Sequence, residues 1–258
     1  MIASGPYESV ARDLAGTAFG SIAYVEETVS TNADAADLLG DERFGGHTIV
    51  AEYQRRGAGR KGRQWLSPAG TALLCTTILP RGVATENLWV VPYWVALAVR
   101  SALLDFGVKT LLQWPNDVLL GDRKLAGILC QSCVIGPAAR AACGVGINVR
   151  RPGADPGIDP PPAFCDDVAP VERPALLRAL LAQYERRLFM LDDPERVRVE
   201  WDEAAGLPGR PYRIELDGEP ESFETIAEGL AAGGGLRVRR ENGLMETVSL
   251  ADARVLRV

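Results

Sequence analysis

One histidine, His47, is all that 258 residues supply, and that scarcity removes whole classes of chemistry. A Ser-His-Asp or Cys-His mechanism would rest on His47 alone, in a strand-like run where side chains usually serve the core. Zinc is no easier to hold, because Cys130-x-x-Cys133 has no second pair to complete four ligands. Five cysteines, at 75, 130, 133, 143 and 165, make an odd count in a chain of ordinary size. Reduced thiols in a cytoplasm are therefore expected rather than a disulfide framework. No run of eighteen apolar residues occurs, so no transmembrane helix is expected. The opening MIASGPYESVARDL has neither a basic start nor an apolar stretch, so no secretory signal is expected. What remains is 47% apolar with a net charge of −6, enough for one large domain and a small one.

Against that acidic total, residues 54–65 read Gln54-Arg-Arg-Gly57-Ala58-Gly59-Arg60-Lys61-Gly62-Arg63-Gln-Trp65, with five cations and three glycines. Glycine lets backbone approach a ligand closely. Successive free N–H groups form an anion-binding concavity that an Arg fork completes. The spacing is not that of the phosphate loop GxxxxGK[ST], and no helix opens here as it does in a dinucleotide fingerprint. A basic surface loop is the plainer reading, but nucleic-acid readers usually present a broader basic face. A local clamp for phosphate or carboxylate fits better.

Three other segments carry chemistry. Ser30-Thr31-Asn32 precedes a helical run over 33–39, either as an N-cap or as hydroxyls and N–H groups for a polar ligand head. Gln113-Trp114-Pro115-Asn116-Asp117 ends a short strand, with Lys124 seven residues after Asp117. Asn116 offers a donor and an acceptor, and Asp117 suits Mg²⁺ through water or an ammonium group. The plainer alternative is a turn with a solvated lysine. Gly144-Val-Gly146-Ile-Asn148 places glycines where backbone passes close to something, or is a core strand ending in an exposed asparagine.

Strands are expected at 20–26, 47–53, 71–79, 111–114, 118–120, 125–133 and 141–149. Helices are expected at 86–106, with Pro92 forcing a kink or late start, and at 174–190 and 194–205. The first twenty residues show little pattern, and the proline-rich stretch 150–170 reads as a loop outside the core. After Gly206-Leu-Pro-Gly209 come short strands at 212–216, 223–230, 236–240 and 245–250, with turn signals Asp217-Gly218 and Asn242-Gly243. They suggest a small β-barrel. The fold class is α+β, a mixed sheet flanked by helices, divided into 1–208 and 209–258.

Taken together, Ser30-Thr31-Asn32, the 54–65 loop, Trp114-Pro-Asn-Asp117 with Arg123-Lys124-Leu-Ala-Gly127-Ile-Leu, and Gly144-Val-Gly-Ile-Asn148 resemble the biotin protein ligase family. They follow the family's order over residues 20–150, and the end after about 209 is similar to its SH3-like domain. The resemblance implies a class II synthetase-like catalytic fold in a short form, without the N-terminal DNA-binding domain. It implies a cytoplasmic enzyme that makes biotinyl-5′-AMP from biotin and ATP with Mg²⁺. That enzyme passes biotin to a lysine of a biotin carboxyl carrier domain of a biotin-dependent carboxylase. No DNA and no membrane partner are implied, and monomer and homodimer both stay open.

Carried over by position, the catalytic set is Lys124, Arg60 and Asp117, Lys124 meeting the biotin carboxylate and the α-phosphate. Ser30, Thr31, Asn32, Gln54, Ala58, Gly59, Arg60, Lys124 and Gly127 fall to biotin. Gly57, Arg60, Arg63, Trp65 on the adenine side, Asn116 and Asn148 fall to ATP or the adenylate. Asp117 orients the incoming lysine or acts through Mg²⁺. Two departures stand out: Ala58 where the family usually has arginine, and Gln113 where it commonly has lysine. Both lower the local positive charge, and Arg55 or Arg56 is the expected substitute at the first. A lipoate-type protein ligase is the alternative enzyme, and a non-catalytic ligand- or nucleic-acid-binding module the alternative of another class.

Overall fold

The computed structural model describes residues 5–153, 157–217, 221–250 and 253–256. Strands β1 (Ile22–Thr28) and β2 (Thr48–Gln54) pair in parallel, and β2 feeds a two-stranded ribbon of β3 (Gly57–Ala58) and β4 (Gln64–Trp65). Then follow β5 (Ala72–Ile78), β6 (Val83–Ala84), β7 (Leu111–Gln113), β8 (Asp117–Leu120), β9 (Arg123–Ile135) and β10 (Ala138–Asn148). The main sheet runs β1-β2-β5-β10-β9-β8-β7, with β6 pairing the start of β10. All its pairings after β1–β2 are antiparallel.

Helices cover both faces of this sheet: α1 (Glu8–Asp13), α2 (Thr31–Leu38), α3 (Val91–Leu104), α4 (Arg173–Arg187) and α5 (Pro194–Ala204). Every residue of β5 is buried, as expected for a strand covered on both sides. The two-residue period of β10 sorts its faces. Ala141, Cys143, Val145 and Ile147 join the main core with α3 and α4, while Ala142 packs with Ala35 and Leu39 beneath α2. Further along that second face stand Gly144 and Gly146, where a side chain would otherwise fill the space. A hollow opens there.

Pro92 lies in the first turn of α3, so the late start is what forms, preceded by a 3₁₀ turn over Thr85–Val90. The stretch Thr85–Leu104 is long and apolar enough to cross a membrane by composition, yet Tyr93, Trp94, Val95 and Val99 are fully buried in the core. Two expectations change. The first twenty residues contain α1, whose Tyr7, Val10 and Leu14 are buried at helical spacing. The 150–170 stretch is partly core: Ala163, Phe164 and Cys165 are buried, and Ala163 N–H donates to the Lys124 carbonyl at 2.8 Å.

The C-terminal sheet comprises β11 (Arg210–Leu216), β12 (Phe223–Leu230), β13 (Leu236–Arg240), β14 (Met245–Val248) and β15 (Ala253–Leu256), in the order β14-β13-β12-β11-β15. It is compatible with an SH3-like domain, but it is not the closed barrel expected: among the described residues the edge strands β14 and β15 do not pair. The apolar face is covered by the rest of the molecule instead of by its own closure. Ile214, Leu230, Leu236 and Val238 share one continuous core with Tyr93, Trp114 and Trp201. Trp114 Nε1 donates to the Gly234 carbonyl at 3.1 Å, and the Leu230 N–H donates to Asp202 Oδ1 at 2.8 Å. The Asn242-Gly243 turn forms with Gly243 at φ +83°, whereas Gly218 of the other turn signal lies outside the described residues.

Candidate active site

The hollow over Gly144 and Gly146 is a cavity of about 140 Å³, and a second of about 550 Å³ adjoins it. Arg63, Gln64, Trp65, Asp117 and Lys124 line both. The small cavity is closed at one end by the start of α2 and roofed by the 54–65 loop. Ser30, Thr31, Asn32, Gln54, Ala58, Gly59, Arg60, Lys124 and Gly127, distant in sequence, all line it. Arg63, Trp65 and Asn116 line it too, and Asn148 lines the larger cavity. Gly57 lines neither; a Cβ there would meet the Trp65 carbonyl oxygen at 2.6 Å, so it serves close packing of the ribbon.

The closed end is a polar network. The backbone N–H of Thr31 donates to Gln54 Oε1 at 2.7 Å, and the Thr31 hydroxyl reaches the same oxygen at 3.0 Å. Ser30 does not cap α2 with its side chain. Asn32 is a strut across the floor: its Nδ2 donates to the Leu129 carbonyl at 3.0 Å, and its Oδ1 accepts from the Thr76 hydroxyl at 2.6 Å. Thr76 is a residue sequence reasoning missed; the Thr76-Thr77 pair in an otherwise apolar strand gives no signal until β5 lies behind α2. Asn148 is buried rather than exposed, its Nδ2 donating to the Ala163 carbonyl at 3.1 Å. Asn116 Nδ2 donates to the Ile128 carbonyl at 2.8 Å. In this structure both amides brace the cavity walls.

Lys124 and Asp117 meet at the junction of the cavities, Nζ to Oδ1 at 2.6 Å. A bulge makes this possible. Val118 pairs with Ala126 but Leu119 pairs with Lys124, so Leu125 is the extra residue. Three positions apart in a regular strand, Lys124 and Gly127 would point to opposite faces; here a Cβ on Gly127 would lie 3.1 Å from Lys124 Nζ. The ammonium also stands 5.5 Å from the Trp65 ring centroid. The indole rests on glycine: a Cβ on Gly146 would sit 2.7 Å from its Cε2, and one on Gly127 2.9 Å from its Cζ3. Among the described residues its buried Nε1–H meets no acceptor. Arg60 is half-buried, and burial lowers its pKa from the ordinary guanidinium value.

Among the described residues no group of three or more His, Cys, Asp and Glu is placed to hold an ion. The Asp117 carboxylate faces an ammonium, so these residues do not fit a protein-held Mg²⁺. Arg55 pairs with Glu27 at 3.2 Å, and neither it nor Arg56 lines either cavity, so the cation lacking at Ala58 is not replaced by them. Gln113 fares differently. Arg210 Nη2 donates to its Oε1 at 3.1 Å, bringing a guanidinium from β11 to the place where a lysine was expected.

This constellation has relatives. A model of the biotin/lipoate A/B protein ligase family matches residues 25–148. The chain is 34% identical over 228 residues to the biotin–acetyl-CoA-carboxylase ligase of Paracoccus denitrificans, an overlap of 84% of this chain and 93% of that one. The chain belongs to the biotin protein ligase family. A second family member, the biotin–acetyl-CoA-carboxylase ligase of Mycobacterium tuberculosis, is 32% identical over 217 residues, covering 79% of this chain and 78% of its own. In fold, the chain is similar to the Aquifex aeolicus biotin protein ligase solved with biotin and ATP. There the TM-score is 0.74 at 21% identity, over 92% of this chain and 99% of that one.

Proposed function

We propose that the protein is an ATP-dependent ligase that activates biotin as biotinyl-5′-AMP and transfers it to a lysine of a biotin carboxyl carrier domain. The observation that carries the reading is the Lys124–Asp117 pair, which lines both cavities at their junction. Biotin in the small cavity presents its carboxylate, beside one ammonium, to the α-phosphate of ATP in the large one. Anion meets anion in that step, so prepositioned cations dominate the catalysis. A carboxylate oxygen bonds to phosphorus as the bond to pyrophosphate breaks, with Lys124, Arg60 and Arg63 bearing the charge. In the second step the acceptor amine attacks the acyl carbon and AMP leaves with its electron pair. Asp117 orients the incoming ammonium and accepts its proton.

Thr31, Gln54 and Ser30 face the polar head of biotin, with Asn32 held behind them as a strut. The Trp65 Nε1–H, without an acceptor among the described residues, and the glycine cradle under its ring suit a nucleotide edge in the larger cavity. Mg²⁺ belongs to this reading as the counter-ion of ATP, and no step is assigned to it. A catalytic unit over 1–208, an SH3-like unit over 209–258 and a cytoplasmic location are parts of the same proposal; the location is supported by five free thiols.

Pyrophosphate release with ATP and either biotin or lipoate tests the reading. Release with biotin alone is expected; release with lipoate alone would make the chain a lipoate-type ligase, and release with neither a binding module. Lys124→Ala is expected to cut adenylate formation by about 10²–10³-fold while leaving thermal unfolding unchanged. Accumulation of biotinyl-AMP at the parent rate would remove Lys124 from the mechanism.

A further inference from the structure

The glycine-cation loop is tied to the C-terminal sheet at two points. Lys61 Nζ lies 2.7 Å from both carboxylate oxygens of Asp217, just past the end of β11. One residue earlier, Arg60 Nη2 donates to the carbonyl of Leu250, beyond β14. Between these ties the backbone is unusual: Lys61 has φ +53° and ψ +40°, and among the described residues it is the one non-glycine with positive φ. A lysine keeps that conformation where its surroundings over-determine it. Here the surroundings are a 3₁₀ turn over Arg60–Gly62, an ion pair on one side and a backbone carbonyl on the other. Asp217 itself lines neither cavity.

We propose that Asp217 is a positioning residue: through Lys61 it holds the loop, and with it Arg60, over the small cavity, and so retains the acyl-adenylate until the acceptor arrives. The retention role rests on the ligase reading; the loop contact does not. Opening the roof breaks the Lys61–Asp217 pair, so neutralising Asp217 raises the open fraction by the worth of one surface ion pair. Asp217 is 62% exposed, and pairs of that kind correspond to about two- to fivefold in an equilibrium.

The test compares Asp217→Asn, which keeps shape and loses charge, with Asp217→Glu, which keeps charge. Trypsin cleavage within 55–63 of the ligand-free protein reads the loop; free biotinyl-AMP released per adenylate formed, without acceptor, reads retention. Asp217→Asn is expected to raise both by about two- to fivefold, with the pyrophosphate burst rate unchanged and Asp217→Glu close to parent. Salt near 1 M, where the Debye length is about 3 Å, is expected to bring parental release up to the Asp217→Asn level. Parental loop cleavage in Asp217→Asn overturns the proposal whatever the ligase assay gives. Faster cleavage in a protein whose parent makes no adenylate would sink the ligase reading and the retention role together, leaving the loop contact established.

Discussion

Gly144→Ala is the sharpest perturbation of this site, because a single methyl group has nowhere to go. Its Cβ would lie 2.7 Å from Asn32 Cγ and 2.8 Å from Asn32 Nδ2, and would overlap the carbonyl oxygen of that side chain. Asn32 is buried and bonded at both ends, to the Leu129 carbonyl at 3.0 Å and the Thr76 hydroxyl at 2.6 Å. Moving it breaks both bonds, each worth about 1 kcal/mol net. Keeping it in place costs about 1–3 kcal/mol of overpacking. The chain takes the cheaper route or a compromise between the two, so the loss of stability is about 1–2 kcal/mol. For a chain this long that is expected to lower Tm by roughly 4 °C, read by calorimetry. Leu129 and Gly144 also line the small cavity, so KM for biotin is expected to rise about tenfold, the equivalent of about 1.4 kcal/mol. Asn32→Ala makes room for the methyl, so the double variant is expected to cost far less than the sum of the singles. An unchanged Tm in Gly144→Ala, or additivity in the double variant, refutes the reasoning.

Gly146→Ala places a Cβ 2.7 Å from Trp65 Cε2 and lifts the indole from the floor. Altered tryptophan emission is expected, with kcat/KM for ATP about tenfold lower, about 1.4 kcal/mol, and parental emission with parental kinetics would refute it. His47 is buried beside Ser21, its Nδ1 2.8 Å from the Ser21 hydroxyl, and burial lowers its pKa below 6.5. The unfolded chain then binds the extra proton, so this contribution to stability is complete above about pH 6.5 and is lost as pH falls toward the folded pKa. His47→Asn is expected to flatten the Tm–pH curve below pH 6.5; an unchanged slope in calorimetry counts against it.

The sequence by itself determined the elements and the cast. Hydrophobic period and turn residues placed most strands of both sheets, though not β6 or β15, and left Pro92 as a kink or the late start that α3 takes; four short strings assembled nearly all the lining of the small cavity. Glycines at 144 and 146 foretold a close approach, though not that Asn32 and Trp65 would be the visitors. Alternation misreads Lys124, because in a regular strand it faces away from Gly127. Only the bulge at Leu125, set by pairing with β8, turns it toward Asp117. The polar walls were hidden for a related reason: Thr76, Asn116 and Asn148 take their roles from carbonyls that arrive from other elements. The C-terminal strands carry no motif, yet Arg210 reaches Gln113, Asp217 reaches Lys61, and Ala253 and Val255 line the small cavity. Local propensity fixes which segments extend or coil, since that depends on neighbours a few residues away. Which side chain meets which across a hundred residues depends on register, and register is settled only when the faces pack.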